Sequence, residues 1–211
     1  EMWRVDVTPW DSLGPGFPGS DTVTVKNAAP VVMDALVEPD PARTEDTLTC
    51  ALGLTIDADG DIPTYSYSWS VNELSTPVTD STLPAEYFVR DDVVTCTVTP
   101  SDAIDTGEPV TSAPAVIANS PPRVDSVGIL PEIVSTGDVL TCSYEGLYDP
   151  DGVDEPDASR FRWYLNGVLM ETPGSAFAGV YTGGDIITCD VIPSDGMDDG
   201  EVVSVSVTVD N

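Results

Sequence analysis

Acidic residues gathered in short, glycine-containing turns are the side chains of this sequence best placed to do chemistry. Asp57-Ala-Asp59-Gly-Asp61 sets carboxylates at i, i+2 and i+4 around a glycine, and Asp149-Pro-Asp151-Gly-Val-Asp154 repeats the theme. Further carboxylates stand at Asp102 and Asp105, and at Asp195, Asp198 and Asp199. Carboxylates so spaced can converge on a hard cation that takes about six to eight oxygen ligands, so Ca2+ is the cofactor they suggest. The alternative is that Asp and Gly simply make good turns that face water. Other chemistry is poorly supplied. There is no histidine, which removes Ser-His-Asp and Cys-His nucleophile arrangements and the commonest general base. The four cysteines lack the Cys-x-x-Cys spacing of a zinc site. A carboxylate pair could serve glycoside hydrolysis, but these carboxylates lie in turns with no apolar cleft beside them. The chain therefore reads as a non-enzyme.

The charge balance narrows the partners. Against 37 acidic residues stand 7 basic ones, a formal net charge of -30. Such a chain repels nucleic acid and anionic lipid head groups. Its self-repulsion also costs stability unless cations screen it, which suggests a salty or calcium-containing medium. Hydrophobic residues make up 41% of the 211 residues, enough for packed cores. No apolar run approaches the roughly eighteen residues that cross a bilayer, so no membrane insertion by this segment is expected. The first residues, Glu1, Met2 and Trp3, open an alternating segment rather than a basic stretch followed by an apolar one. A secretory leader is thus expected to have been removed, or the segment to belong to a longer polypeptide.

What positions the acidic turns is a repeat. Asn27-Ala-Ala-Pro30 recurs as Asn119-Ser-Pro-Pro122, and Asn211 follows at the same spacing of 92 residues. Between these points Leu48-Thr-Cys50 matches Leu140-Thr-Cys142, Trp69-Ser-Val-Asn72 matches Trp163-Tyr-Leu-Asn166, and Val94-Thr-Cys96 matches Ile187-Thr-Cys189. Pro100-Ser-Asp102 then matches Pro193-Ser-Asp195. Residues 27-118 and 119-211 are therefore two repeats. Val7-Thr-Pro9 and Asp11 match Val98-Thr-Pro100 and Asp102, which makes residues 1-26 the final hairpin of a preceding, incomplete repeat, with Val5 at the cysteine position.

The landmark segments alternate with period two and are rich in Val, Thr, Tyr and Ile, the pattern of half-buried strands. Leu48, Cys50 and Leu52 share a face, as do Tyr65, Tyr67, Trp69 and Val71, and Val94, Cys96 and Val98. The second repeat offers Leu140, Cys142 and Tyr144, then Phe161, Trp163 and Leu165, then Ile187, Cys189 and Val191. Asn166-Gly167 is the preferred dipeptide of a two-residue hairpin turn, because both positions need positive φ. The expected fold class is all-β, tandem sandwiches.

Cysteines on inward faces of two strands with a Trp on a strand between them resemble the Cys…Trp…Cys pin of immunoglobulin domains, where strands B and F are bridged and the strand C Trp packs on the bridge. That resemblance implies Cys50 with Cys96 and Cys142 with Cys189. Of the three pairings open to four cysteines, this one keeps each bridge inside a repeat. Each closes a loop of about 46 residues, worth on the order of 4 kcal/mol in the chain-entropy model. A closer resemblance is to the tandem Ig-like or PKD-like repeats of large bacterial and archaeal surface proteins, in which a Pro-Ser-Asp-Gly element and an Asn-x-x-Pro linker delimit each module. Pro193-Ser-Asp-Gly196 carries that element in full, and Pro100-Ser-Asp102 is followed by Ala103.

The resemblance implies that the BC and FG loops share one end of each sandwich, which would bring Asp57, Asp59 and Asp61 toward Asp102 and Asp105, and Asp149, Asp151 and Asp154 toward Asp195 and Asp198. Two acidic loops so placed would repel unless a cation sat between them. The short, proline-bearing linkers predict stiff joints and a rod. Trp10, in the turn of the first hairpin, is expected to pack on the next repeat, the alternative being contact with a partner or a sugar. No Asn-x-Ser/Thr glycosylation signal occurs. The first hairpin would be held by preceding strands of a longer chain, by strand donation to a neighbouring copy, or by folding back on repeat 1. The expected role is a non-catalytic structural module of an extracellular or cell-surface stalk, filament or sheath, with neighbouring repeats or other copies as partners. The alternative is an adhesin segment or an accessory module that holds carbohydrate or another surface protein.

Overall fold

A computed structural model describes residues 1–152 and 156–210. The amino-terminal part is a free-standing hairpin. In it β1 (Met2–Val7) pairs antiparallel with β4 (Gly19–Thr24), setting Trp3 opposite Val23 and Val5 opposite Asp21, and β2 (Trp10–Asp11) pairs with β3 (Gly14–Pro15) nearer the tip. Every residue of 1–26 is exposed except half-buried Gly14.

Repeat 1 is a sandwich whose burial alternates along the strands as its sequence does, because successive side chains of an extended chain face opposite ways. Its elements are β5 (Val31–Val32), β6 (Ala35–Glu38), β7 (Leu48–Leu52), β8 (Thr55–Ile56), β9 (Thr64–Val71), β10 (Leu74–Ser75), β11 (Thr82–Leu83), β12 (Val93–Ser101), β13 (Val110–Thr111) and β14 (Ala115–Val116). One sheet runs β11-β7-β6 and the other β10-β9-β12-β13, with β14 also on β12 and β5 paired to β8. In immunoglobulin lettering β6, β7 and β11 are strands A, B and E, while β9, β12 and β13 are C, F and G.

Repeat 2 repeats the plan with β15 (Ser126–Leu130), β16 (Leu140–Glu145), β17 (Arg160–Leu165), β18 (Val168–Met170), β19 (Ala176–Phe177), β20 (Ile186–Ile192) and β21 (Val203–Thr208). Its sheets run β15-β16-β19 and β18-β17-β20-β21. The all-β tandem fold is thus as the alternation predicts, with three strands facing five in repeat 1 and three facing four in repeat 2.

The cores sit where the sequence places them. Leu48, Trp69, Leu83, Val94 and Val98 are buried around a Cys50–Cys96 bridge, and Leu140, Trp163, Phe177, Ile187 and Val191 around Cys142–Cys189. The bridges span Cα–Cα distances of 5.9 and 6.5 Å. Each buried Val or Leu contributes about 1.5–3 kcal/mol relative to exposure. Both buried indoles keep a hydrogen bond, Trp69 Nε1 donating to the Asp80 carbonyl at 2.9 Å and Trp163 Nε1 to that of Gly174 at 3.1 Å. Asn166-Gly167 turns with φ of 51° and 80°, as its dipeptide predicts. The Pro-Ser-Asp-Gly element has an equally local reason: Gly196 sits at φ 89°, and Ala103 occupies the same turn of repeat 1 at φ 75°.

Trp10 departs from expectation. It is 75% exposed rather than packed on repeat 1. In the complete repeats the residue after the matching proline faces its own sandwich: Ser101 pairs with Thr64, and buried Ser194 accepts a hydrogen bond from the Ala158 N–H through its carbonyl. The backbone at position 10 therefore matches one that pairs with strand C of its own repeat.

Candidate functional site at the repeat joint

Each acidic turn first folds itself. Asp57 Oδ1 accepts the N–H groups of Asp59, Gly60 and Asp61 at 2.9, 3.0 and 3.2 Å. Asp102 Oδ1 takes those of Ile104 and Asp105 at 2.8 and 2.7 Å, and Asp195 Oδ1 those of Met197 and Asp198 at 2.7 Å each. Asp149 Oδ1 accepts from the Asp151 N–H at 2.8 Å. These are the aspartate-turn bonds that make the residue a good turn former.

The second carboxylate oxygens then receive the linker. Asn27 Nδ2 donates to Asp102 Oδ2 at 2.7 Å and to Asp105 Oδ2 at 3.0 Å, while the Ala28 N–H donates to Asp59 Oδ2 at 2.7 Å. One repeat later Asn119 Nδ2 donates to Asp195 Oδ2 at 2.7 Å and Asp198 Oδ2 at 3.2 Å, and the Ser120 N–H to Asp151 Oδ2 at 2.6 Å. The BC and FG loops of each repeat therefore meet around the linker asparagine, whose amide lies between carboxylates that would otherwise repel. Glycine lets the linker come this close. A Cβ on Gly107 would lie 2.0 Å from the Pro30 carbonyl oxygen, and one on Gly200 would lie 1.8 Å from that of Pro122.

Hydrogen bonding moves the titrations. The Asp105 N–H, and then the Asn27 amide, hold the Asp102 carboxyl below its ordinary range. Burial pushes Asp195 up, but the Asn119 amide and the N–H groups of Asp198 and Met197 outweigh it and leave the group lowered.

Among the described residues no three acidic side chains gather in a group that could hold a metal. Asp61 enters through its backbone N–H, and Asp154 lies outside the described residues. In repeat 1, Asp57 Oδ2 is buried without a hydrogen-bond partner.

The joint between the repeats adds groups that sequence reasoning missed. From repeat 1, the Arg43 guanidinium donates to the Asn119 carbonyl at 2.6 Å and lies 3.9 Å from Asp198 Oδ2. The Thr44 N–H donates to Ser120 Oγ at 3.1 Å, and its hydroxyl donates to Asp151 Oδ1. Arg90 donates to Asn119 Oδ1 at 3.0 Å and stands 3.9 Å from Asp151 Oδ2, whose side chain is 0% exposed. On one flank Glu45 accepts from Arg123 at 2.9 Å and from the Tyr148 hydroxyl at 3.1 Å, with the Arg123 guanidinium 4.2 Å above the Tyr148 ring. The Arg123 hydrogen bond holds Glu45 below its usual value. Of the seven basic residues in the chain, Arg43, Arg90 and Arg123 come together here.

The far end of repeat 2 is built differently. The turn bond from the Arg43 N–H to Asp46 recurs from the Ser135 N–H to Asp138, and that from the Val89 N–H to Asp92 recurs from the Thr182 N–H to Asp185. Ser135, Gly137 and Gly183 thus occupy the places of Arg43, Glu45 and Arg90.

No protein-family profile matches the chain, and no curated protein matches it. Among solved structures it is similar to the FN1–FN3 domains of chicken CNTN1, at 10% identity and a TM-score of 0.38, over 100% of this chain and 76% of that one. It is also similar to a two-domain fibronectin type III segment of chicken tenascin, at 15% identity and a TM-score of 0.43, over 86% and 100% of the two chains. A Dscam structure solved for isoform specificity aligns at 14% identity and a TM-score of 0.30, over 88% and 46%. The fold assignment rests on the sheets and bridges themselves.

Proposed function

We propose that the chain is a non-catalytic structural module of an extracellular protein, divided at 1-26, 27-118 and 119-211, in which sandwich repeats are held end to end by a closed polar joint. The observation that supports this is the Asp151 side chain, buried between Thr44 and Arg90 of one repeat and the Ser120 N–H of the linker. A flexible tether would not bury a carboxylate and supply it with donors from both sides, since burial without partners is costly. Both cysteine pairs are oxidised and no free cysteine remains, the usage of an oxidising compartment.

Small-angle scattering tests the stiffness. A closed joint keeps the same maximum dimension at low salt and at about 1 M salt, where the Debye length falls to about 3 Å. A distribution of dimensions that broadens with salt would sink the proposal. Calcium belongs to the proposal on the strength of the orphaned Asp57 Oδ2 alone. Thermal unfolding with calcium and with chelator at fixed ionic strength decides it. A calcium-specific rise supports a bound ion, and identical curves leave the acidic turns as the amide-capped loops described above.

A further inference from the structure

The first hairpin shares two defining bonds with the FG hairpins of the complete repeats. The Gly16 N–H donates to the Pro9 carbonyl at 2.7 Å, as Gly107 does to Pro100 at 2.9 Å and Gly200 to Pro193 at 2.8 Å. The Leu13 N–H donates to Asp11 Oδ1 at 2.7 Å, as that of Ile104 does to Asp102 and that of Met197 to Asp195. In this alignment Trp3, Val5 and Val7 stand where repeat 1 has Val94, Cys96 and Val98, all 0% exposed. In the hairpin the same face is bare: Trp3 and Val5 are each 57% exposed and Val7 60%.

Two further positions point the same way. Gly16 is the counterpart of Gly107 and Gly200, which must be glycine because a linker carbonyl lies within 2.0 Å of where a Cβ would be. At Gly16 a Cβ would meet the Pro9 ring, at 3.0 Å, and no linker. Trp10 stands where Ser101 of repeat 1 pairs its backbone with Thr64 of strand C, and its side chain is 75% exposed.

We propose that the hairpin is the receiving half of a third sandwich, and that its occupant is a polypeptide segment carrying strands A to E of a repeat of this kind. That segment lays its A-strand linker over Gly16, covers Trp3, Val5, Val7 and Val23 with apolar side chains, and has no cysteine opposite Val5. By the equivalence of Asp59 and Asp105 with Asp151 and Asp198, its AB and EF turns carry cations toward repeat 1, as Arg43 and Arg90 do toward repeat 2. A second copy fits less well, because its two sandwiches already hold their own F and G strands.

This rests on reading the chain as a string of sandwich repeats, and it is independent of where the protein resides or how stiff its joint is. The test joins a copy of residues 27–91, with its Cys50→Val, in front of Glu1 of the full chain, so that strand E feeds β1 as it feeds β12 in repeat 1. Amide exchange of β1 and β4 should slow by at least about a hundredfold relative to the unmodified chain, reaching the class of buried strands. Because Trp3 is larger than Val94, a second fusion keeps the copied cysteine and carries Trp3→Val and Val5→Cys. An oxidised bridge between the two, seen by mass after thiol blocking, also counts in favour. If neither fusion slows exchange nor forms the bridge, the proposal is wrong. It is equally wrong if the unmodified chain already sediments as a dimer with β1 protected and Val5→Asp returns it to monomer, because the occupant is then a second copy.

Discussion

Replacing Asp151 by alanine should uncouple the two repeats. The side chain is 0% exposed and accepts from the Thr44 hydroxyl and, at 2.6 Å, from the Ser120 N–H, with Arg90 3.9 Å away. Hydrogen bonds to a charged group contribute about 1.5–3 kcal/mol each. Removing one partner of a buried charged set costs about 3–5 kcal/mol, because the groups left behind stay buried. Ser120, itself buried, would keep an N–H with nothing to bond. The expected loss of about 3–5 kcal/mol reads as a several-hundredfold or greater rise in the exchange rates of the linker and of β15, with the core of repeat 1, at β7 and β12, unchanged. The contrast is Glu45→Ala, which breaks a half-exposed pair with Arg123 and should cost only about 0.2–1 kcal/mol. If Asp151→Ala costs no more than Glu45→Ala, Asp151 is solvated in solution and the joint is not closed.

Ala103→Gly should stabilise repeat 1 by about 1 kcal/mol, read from its denaturation midpoint, because alanine here holds a left-handed φ of 75° that glycine adopts freely; a loss would mean the turn relaxes away from that φ. Gly200→Ala should destabilise repeat 2 by more than about 2 kcal/mol, since its Cβ would fall 1.8 Å from the Pro122 carbonyl oxygen; a neutral result would show that the linker does not lie there. The Asn119 amide favours ionised Asp195, whose folded titration lies below its ordinary value near 4. A lowered acid contributes stability above the unfolded value and loses it as pH falls through the folded one. The stability gap between the native chain and Asn119→Ala should therefore be full at pH 7 and close as pH drops below about 4; a gap independent of pH would mean that Asn119 acts through packing.

The sandwiches were legible because their information is local and periodic. Cys50, Trp69 and Cys96 sit on runs whose period of two survives folding, and the 92-residue repeat in the sequence doubles every landmark. The meeting of acidic loops was legible through the immunoglobulin resemblance, which puts BC and FG loops at one end, although nothing in the chain signals that the asparagine amide itself would lie between the carboxylates. Arg43, Thr44 and Arg90 were not legible as joint residues. Thr44 reaches Asp151 across 107 residues and Arg43 reaches Asn119 across 76, and such contacts follow from how two finished sandwiches abut, not from any pattern along the chain. Trp10 misled for a related reason, its backbone matching one that pairs with a strand of its own repeat.

The unlike ends of repeat 2 carry a consequence for how such chains can change over generations. At the joint between the repeats the acidic crown of repeat 2 is met by a base that bears Arg43 and Arg90, and Ser135 and Gly183 stand at those places in repeat 2. A duplicated copy of repeat 2 spliced after itself would fold yet hang loosely from its template. Modules of this design are therefore not freely shuffled. Their order is written into complementary pairs of loops, and a recombination event that reorders them must alter both faces of a junction to restore it.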